Sequence, residues 1–278
     1  MLKQRIITGV VLVSAFLCAI AFLPLFWLAV VFGLVVSMGA WEWSRLAGWE
    51  SWLLRFLYVG VLIGLVSVAY LYVPLDTAPL AKDVQPFLGL ACLWWSIALL
   101  WVKGFPTSAA LWGSKLMRSL MGFIILAPAW IASVFLLSFP KGSSLMVAMI
   151  LVVVCADIGA YFSGKRFGRH KLAPAVSPAK TWEGFWGGIL ACAILSVVVW
   201  YFLPVQQQHI GLASVAGVIL TTAAASVVGD LSVSMVKRQG GFKDSGNLLP
   251  GHGGILDRLD SIVAAAPVFA LGLLLVGW

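Results

Sequence analysis

The sequence predicts an all-α integral membrane protein with about nine transmembrane helices. Of its 278 residues, 62% are hydrophobic and only 10% are charged, whereas a soluble domain is about half apolar and about a quarter charged. Several apolar runs approach the ~20 residues that a helix needs to cross a bilayer. Backbone polar groups in lipid must be satisfied internally, and these runs are too long for barrel strands, so helices are expected.

The predicted helices follow one another with short connections. The first two runs share only Pro24 as a turn, so a re-entrant pair there would change the count. Residues 1–23 also resemble a signal peptide, with Lys3 and Arg5 ahead of an apolar core. Because a second apolar run follows at once, we interpret them as an uncleaved first helix. In order, the runs cover residues 6–23, 25–41, 56–73, 84–102, 119–138, 144–163, 183–203, 210–232 and 258–277.

The basic residues fall mostly on one side of this predicted topology. With nine crossings, the N-terminus and the loops after even-numbered helices hold all Lys and Arg residues except Lys82 and Lys141. Because positive residues concentrate in cytoplasmic loops, we expect that side to be cytoplasmic and Trp278 to face outward. Topology alone explains the first three basic clusters. The last two cytoplasmic loops also contain acidic residues, which topology does not require.

Most of the acidic residues lie in the last four predicted helices or their connections. A charge near the hydrocarbon is costly and therefore a functional candidate, although an ion pair with a neighbouring cation would explain any single one. Four of these residues are predicted at a similar membrane depth, which favours a shared site. Carboxylates without His or Cys suit Mg²⁺ or Mn²⁺ rather than zinc. The four are Asp157, Asp230, Asp257 and Asp260, the last two lying three apart on one predicted helix face.

Basic side chains and glycine-rich backbone accompany these acids. The segments GGFKDSGN (240–247) and PGHGG (250–254) offer unblocked backbone N–H groups before the last predicted helix. Basic side chains can neutralise phosphate charge. Metal-binding acids, phosphate-binding bases and bare amides together indicate phosphoryl or nucleotidyl transfer. The basic residues concerned are Lys180, Lys237, Arg238, Lys243 and Arg258.

The segment SPAKTWEG (177–184) predicts a turn followed by a helix. Thr181 is the expected N-cap, with Glu183 or Gly184 in the first turn. This local interpretation leaves Ser177 and Lys180 without a structural role. His170 and His209 are predicted to be ordinary loop residues, and His252 differs because it stands between glycines in the charged loop.

The C-terminal motifs resemble a known enzyme family. The stretch SMVKRQGGFKDSGNLLPGHGGILDRLD (234–260) is similar, without a departure, to the signature of the phosphatidate cytidylyltransferases, also called CDP-diglyceride synthases. The stretch DIGAYFSGKRFGRHKLAPAVSPAKTWEG (157–184) and the pair Gly229–Asp230 also resemble that family. The N-terminal helices match only in being hydrophobic. The close likeness is therefore confined to the C-terminal part of the chain.

The resemblance implies transfer of the cytidylyl group of CTP to phosphatidate in the bilayer, giving CDP-diacylglycerol and pyrophosphate. It also implies a polar cavity open to the cytoplasm between the C-terminal helices, a homodimer, a place in the bacterial cytoplasmic (inner) membrane, and no nucleic-acid partner. Asp230 and Asp257 are the implied ligands of Mg²⁺ or Mn²⁺, and a second cation, monovalent or divalent, is left open.

The remaining candidate residues follow from the same motifs. The catalytic candidates, besides the two metal ligands, are Lys243, His252, Arg258 and Asp260. The substrate-binding candidates are Ser177, Lys180, Thr181, Glu183, Lys237, Arg238, Asp244, Gly253 and Gly254. No side chain in the two loops resembles an activated nucleophile, so we expect direct in-line attack by the lipid phosphate.

We divide the chain into two predicted domains. Residues 1–140 form N-terminal transmembrane helices that anchor the protein and offer surfaces for dimer contacts, and residues 141–278 form a C-terminal transmembrane catalytic domain. A transporter with a charged relay and another lipid-phosphate transferase are the alternative functions. The transporter is disfavoured because the acids lie near one membrane surface and the two parts of the chain show no related halves.

Overall fold

Helices account for nearly all the regular structure in the computed structural model, which describes residues 2–72, 81–249, 251 and 253–278. The two short strands are β1 (Lys171–Ala173) and β2 (Ser177–Thr181), which pair antiparallel. A single 3₁₀ turn covers Val205–Gln207. The helices are α1 (Leu2–Phe22), α2 (Leu25–Ala47), α3 (Trp52–Tyr72), α4 (Ala81–Gly104), α5 (Ala109–Trp112), α6 (Lys115–Ser138), α7 (Gly142–Phe167), α8 (Trp182–Tyr201), α9 (Leu212–Gln239), α10 (Leu256–Leu259) and α11 (Ile262–Leu275).

The predicted class, an all-α integral membrane protein, is confirmed. Within the described residues, eight helical stretches are long and apolar enough to cross a membrane. The last of them, Leu256–Leu275, joins α10 and α11. α1 adds a shorter apolar stretch, Ile7–Phe22. Each of the nine apolar runs in the sequence therefore falls on a helix, and a ninth crossing by α1 stays a prediction.

The first two helices form a hairpin. The rings of Phe16 and Phe32, equally distant in sequence from Pro24, stack with centroids 6.4 Å apart. A continuous helix would separate them by roughly 24 Å at 1.5 Å per residue, so the chain folds back at Pro24. The outer face of α1 exposes apolar side chains such as Val10 and Val13. Exposed apolar side chains on a helix of this kind are suited to contact with lipid.

α6 lies at the centre of the bundle and is the most buried of the candidate spans. It packs against α2, α3, α4, α7 and α11. α7 and α8 pack closely side by side through small residues. A β-carbon at Gly159 would lie 2.8 Å from the Gly187 carbonyl oxygen, and one at Gly188 would lie 2.6 Å from the Ala156 carbonyl oxygen. The bare glycines therefore allow the two helix backbones to touch.

Several helix termini meet at one end of the molecule, which we call the basic end. The Trp43 indole N–H near the end of α2 donates to the Arg118 carbonyl oxygen at the start of α6, 2.7 Å away. Arg238 near the end of α9 donates to the Val176 carbonyl oxygen between β1 and β2, 3.2 Å away. These termini are the ones that the positive-charge bias placed together. At the opposite end, the Ser143 hydroxyl donates to the Ile20 carbonyl oxygen, 2.7 Å away.

The structure corrects the predicted helix ends near the charged segments. α2 continues to Ala47 rather than residue 41, and α9 continues to Gln239 rather than residue 232. Both extensions carry charged side chains whose partners are distant in sequence. The last helix, predicted as one run from residue 258 to 277, begins at Leu256 and is interrupted between Leu259 and Ile262. The segment predicted as a loop after residue 163 continues as helix to Phe167 and then forms the β1–β2 hairpin.

Candidate functional site

One face of α9 carries three polar side chains of the site. Asp230, Ser234 and Lys237 are four and three residues apart, so they line the same side of the helix. The Ser234 hydroxyl donates to Asp230 Oδ1, 3.2 Å away. The carboxylate and the amine thus stand about two turns apart near the basic end, and each has a partner from another element.

The first partner comes from the β1–β2 hairpin. Lys180 on β2 forms a salt bridge with Asp230 Oδ2, and the two side chains are 26% and 27% exposed. β2 leads directly into α8, where the Thr181 hydroxyl oxygen accepts a hydrogen bond from the Gly184 amide, 3.1 Å away. The predicted N-cap is therefore confirmed, and it fixes the residue that follows Lys180. We call Lys180–Asp230 the open pair.

The second partner lies on α10. Lys237 Nζ is 2.7 Å from Asp257 Oδ1, and both side chains are 8% exposed. Asp257 Oδ2 accepts hydrogen bonds from the Ser245 amide at 2.9 Å and the Gly254 amide at 3.0 Å. Three donors thus hold the two oxygens of one carboxylate. We call Lys237–Asp257 the buried pair.

The loop before α10 needs glycine at Gly253. Its φ of +79° lies in the left-handed region, which favours glycine over residues with a side chain. Its carbonyl oxygen accepts a hydrogen bond from the Leu249 amide at 2.9 Å. The following amide, that of Gly254, is thereby directed at Asp257. The sequence predicted unblocked N–H groups in this loop for binding phosphate. The Ser245 and Gly254 amides instead donate to a carboxylate of the protein itself, and phosphate binding by the loop stays a prediction.

Asp260 lies at the break between α10 and α11, against α9. Its Oδ1 accepts a hydrogen bond from the Ser261 amide, 2.9 Å away. Its carbonyl oxygen is so close to Gly229 that a β-carbon there would overlap it. The charges of Asp230, Lys237 and Lys180 all act on its carboxylate. Asp260 therefore belongs to the same cluster as the two pairs.

Asp157 on α7 extends this cluster towards the neighbouring helix. Its carboxylate interacts electrostatically with Lys180 and Asp230. The four acidic residues that the sequence placed at a similar depth are thus linked through Lys180 and Lys237. Carboxylates and amines alternate across α7, β2, α9 and α10.

Arg238 connects the hairpin to the glycine-rich loop. Its Nε donates to the Val176 carbonyl oxygen, and a terminal nitrogen donates to the Phe242 carbonyl oxygen, both at 3.2 Å. The two segments that the sequence singled out as substrate-binding are therefore joined by one guanidinium group. In this structure the observed contacts of Arg238 are with backbone.

Glu183 binds the turn ahead of β1. Its carboxylate accepts from His170 Nδ1 at 2.6 Å and from the Arg169 and His170 amides at 3.1–3.3 Å. His170, predicted as an ordinary loop residue, is exposed and contributes to this contact. Glu183 therefore shapes the chain entering the hairpin, and its predicted role in substrate binding stays a prediction.

The remaining candidates lie around the two pairs. Ser177 is half-buried at the start of β2, and Gly254 is buried in the loop. The side chains of Lys243, Asp244 and Arg258 are exposed. His252 lies outside the described residues.

Two residues of α2 contact the site and were missed from sequence. Glu42 is 3% exposed, and Arg45 follows it by three residues. Glu42 accepts hydrogen bonds from Ser245, Ile255 and Leu256, and Arg45 donates to the carbonyl oxygens of Asp244 and Ser245. The available signal was two charges spaced three apart beside a long apolar run. Their partners lie about two hundred residues away, so local sequence did not identify them.

The donor set suits magnesium more than a transition metal. In the part of the chain that the structure describes, no three His, Cys, Asp or Glu side chains form a group that could hold a metal ion. Asp230 and Asp257 supply hard oxygen donors, and each is paired with a lysine. Mg²⁺ commonly takes one or two protein carboxylates and completes its shell with substrate phosphates and water. Two carboxylates without nitrogen or sulfur ligands fit that pattern.

Comparison with known proteins gives matches along the whole chain. The cytidylyltransferase family matches residues 3–276. A phosphatidate cytidylyltransferase of Pseudomonas aeruginosa is 45% identical over 278 residues, covering 100% of this chain and 99% of the relative. One of Haemophilus influenzae is 39% identical over 285 residues, covering 97% of this chain and 98% of the relative. One of Brucella suis is 44% identical over 132 residues, covering 48% and 47% respectively.

Proposed function

This chain belongs to the cytidylyltransferase family, and we propose that it transfers the cytidylyl group of CTP to phosphatidate, with CDP-diacylglycerol and pyrophosphate as products. The two relatives that match it end to end carry the name phosphatidate cytidylyltransferase. Both substrates are phosphate esters, one soluble and one held in the bilayer. A site at the end of membrane-spanning helices is suited to bringing them together.

The observation that carries this proposal is the arrangement of two lysine–carboxylate pairs along α9. The ammonium group of lysine is a compact donor that can bind either a phosphate or a carboxylate. When a triphosphate enters, Lys180 can exchange Asp230 for a phosphate oxygen with little desolvation, because the pair is partly exposed. The freed carboxylate oxygens then become available to a divalent cation.

The reaction needs no activated side chain. An oxygen of the lipid phosphate attacks the α-phosphorus of CTP, and the bond from that phosphorus to the β-bridging oxygen breaks as pyrophosphate leaves. The lipid phosphate is already ionised near neutral pH. The protein supplies position and charge neutralisation, which dominate catalysis of phosphoryl transfer. Lys180 in the partly exposed pair is the cation best placed for this. The exposed Lys243 and Arg258 are further candidates.

Asp230 and Asp257 would hold Mg²⁺ or Mn²⁺, which when bound neutralises charge on the triphosphate. The Ser245 and Gly254 amides and Lys237 fix the direction of Asp257. The Ser234 hydroxyl does the same for Asp230. A second cation, monovalent or divalent, would add to the same neutralisation.

We place the basic end at the cytoplasmic face of the bacterial inner membrane, because positive residues concentrate there and CTP is cytoplasmic. Phosphatidate then stays in the bilayer, with its phosphate at the α9 face. A homodimer is part of this proposal. The N-terminal helices, with exposed apolar surfaces on α1 and α3, would supply contacts with lipid and with the second copy.

The test is turnover by the purified protein in detergent micelles. CTP labelled at the α-phosphorus should yield labelled CDP-diacylglycerol and an equal amount of pyrophosphate when Mg²⁺ and phosphatidate are present. Diacylglycerol, which lacks the phosphate, is the matched lipid control and should give no product. Label that becomes covalently attached to the protein without lipid, or turnover that is independent of phosphatidate, would contradict direct transfer between these substrates.

A further inference from the structure

Glu42 is a buried carboxylate that forms no salt bridge with any residue in the described part of the chain. It lies near the C-terminal end of α2 and is 3% exposed. A buried carboxylate must accept hydrogen bonds to offset its lost hydration. Glu42 accepts three: from the Ser245 hydroxyl at 2.7 Å, the Ile255 amide at 3.0 Å and the Leu256 amide at 2.9 Å. All three donors belong to the described residues 244–249 and 253–256, which we call the α10 loop.

The α10 loop leaves room for this carboxylate at two glycines. A β-carbon at Gly246 would overlap Glu42 Oε1. A β-carbon at Gly254 would overlap Glu42 Oε2 and lie 2.6 Å from the Gly246 amide nitrogen. The carboxylate therefore fills a space that exists only because both positions lack side chains. The loop is folded around Glu42 rather than merely touching it.

The Glu42 and Asp257 carboxylates accept hydrogen bonds from neighbouring groups of the same loop. The Ser245 residue donates its hydroxyl to Glu42 and its amide to Asp257 Oδ2. The Gly254 amide donates to Asp257, and the next amide, that of Ile255, donates to Glu42. A shift of the Glu42 carboxylate would therefore displace the two amides that orient Asp257.

Arg45 also binds the α10 loop, but it donates hydrogen bonds to the loop where Glu42 accepts them. It lies three residues after Glu42, on the same side of α2. Its terminal nitrogen donates to the Asp244 and Ser245 carbonyl oxygens at 3.1 and 2.6 Å, and its guanidinium carbon is 4.9 Å from the Phe242 ring centroid. The C-terminal end of α2 thus contacts amide, carbonyl and hydroxyl groups at both the beginning and the end of the α10 loop.

We propose that Glu42 is a positioning residue for the transfer reaction: it keeps the α10 loop in the shape in which the Ser245 and Gly254 amides orient Asp257. The role in catalysis rests on the proposed function. Glu42 is buried beneath the loop and acts through Asp257, without contact with the substrates. A helix of the N-terminal half thereby sets the geometry of a carboxylate in the C-terminal half.

The test compares Glu42→Gln with Glu50→Gln. The first change replaces an acceptor oxygen by an amide that faces donors, so kcat should fall about tenfold or more while KM for CTP changes less than about threefold. Amide hydrogen exchange of the α10 loop should be about tenfold faster. Glu50 is exposed in the connection after α2, and its variant should match the wild type in both measurements. Wild-type kcat together with wild-type exchange in Glu42→Gln would overturn the proposal.

Ser245→Ala provides a second variant if Glu42→Gln fails to fold. It removes the hydroxyl that binds Glu42 and keeps the amide that binds Asp257. Loop exchange should rise and kcat should fall, each by about threefold, for one lost hydrogen bond. An effect on neither would count against the positioning role.

Amide hydrogen exchange is measured without substrate. The proposed function and the positioning role of Glu42 can therefore be refuted independently. A wild-type protein that does not convert CTP and phosphatidate would refute the proposed function. Faster loop exchange in Glu42→Gln would then still establish the structural part of the inference, and unchanged exchange would refute it.

Discussion

The open pair and the buried pair have the same chemistry in different surroundings. Lys180–Asp230 joins the hairpin to α9, and about a quarter of each side chain is exposed; Lys237–Asp257 joins α9 to α10, and each side chain is 8% exposed. Partly exposed ion pairs contribute little to stability, whereas a buried charge that loses its partner is costly. One face of α9 thus carries two ion pairs about two turns apart. Exposure leaves the open pair easier to separate than the buried pair.

Breaking the buried pair should have the largest effect. Asp257→Asn leaves Lys237 buried without a counter-charge, so the free energy of unfolding should fall by about 3–5 kcal/mol. Turnover of CTP should fall by about a thousandfold, since the proposed metal ligand is lost. Both are measured on detergent-solubilised protein, by a thermal midpoint and by product formation. An unchanged midpoint would contradict the assignment of Lys237–Asp257 as the pair that is harder to separate.

A double variant separates these two losses. Lys237→Met combined with Asp257→Asn removes both buried charges, so the thermal midpoint should return most of the way to that of the wild type. Turnover should stay as low as in the single variant. Recovered turnover would show that Asp257 acts only through stability.

Breaking the open pair should affect turnover much more than stability. Asp230→Asn and Lys180→Met should each reduce turnover by about a hundredfold and the free energy of unfolding by no more than about 1 kcal/mol. Asp83→Asn, in the first turn of α4 and so away from the basic end, is the control and should behave like the wild type. A midpoint as low as that of Asp257→Asn would remove the distinction between the pairs.

The smallest effect on turnover is expected at Thr181, which follows Lys180 of the open pair. Thr181→Ala removes the N-cap of α8, which costs about 0.5–2 kcal/mol, and loosens the strand that carries Lys180. Turnover should fall about threefold as a result. Thr181→Ser retains the hydroxyl and should stay close to the wild type. If Thr181→Ser is as impaired as Thr181→Ala, the methyl group rather than the cap supports this strand.

Features that depend on local sequence were predicted well. Apolar runs located each long helix that the structure describes, because a bilayer crossing requires about 20 apolar residues whatever their partners are. Thr181 was identified as a cap because the contact spans only three residues. The basic connections after α2, α7 and α9 and the start of α6 do meet at one end, as the charge bias predicted.

Features that depend on distant contacts were not predicted. α2 continues past residue 41 because Glu42 and Arg45 bind groups near residues 245 and 256, and nothing local to α2 reveals those partners. The hairpin was missed because strands of three and five residues carry too little periodicity. The two pairs could not be assigned from sequence either, because each acid had several cations within reach.

The glycine contact between α7 and α8 has a consequence for lipid entry. The backbones touch at Gly159 and Gly188, where even a β-carbon would not fit. A hydrocarbon tail is wider than a β-carbon, so no acyl chain can pass between these two helices along that contact. In the proposed function, phosphatidate would therefore have to reach α9 by a route around this contact.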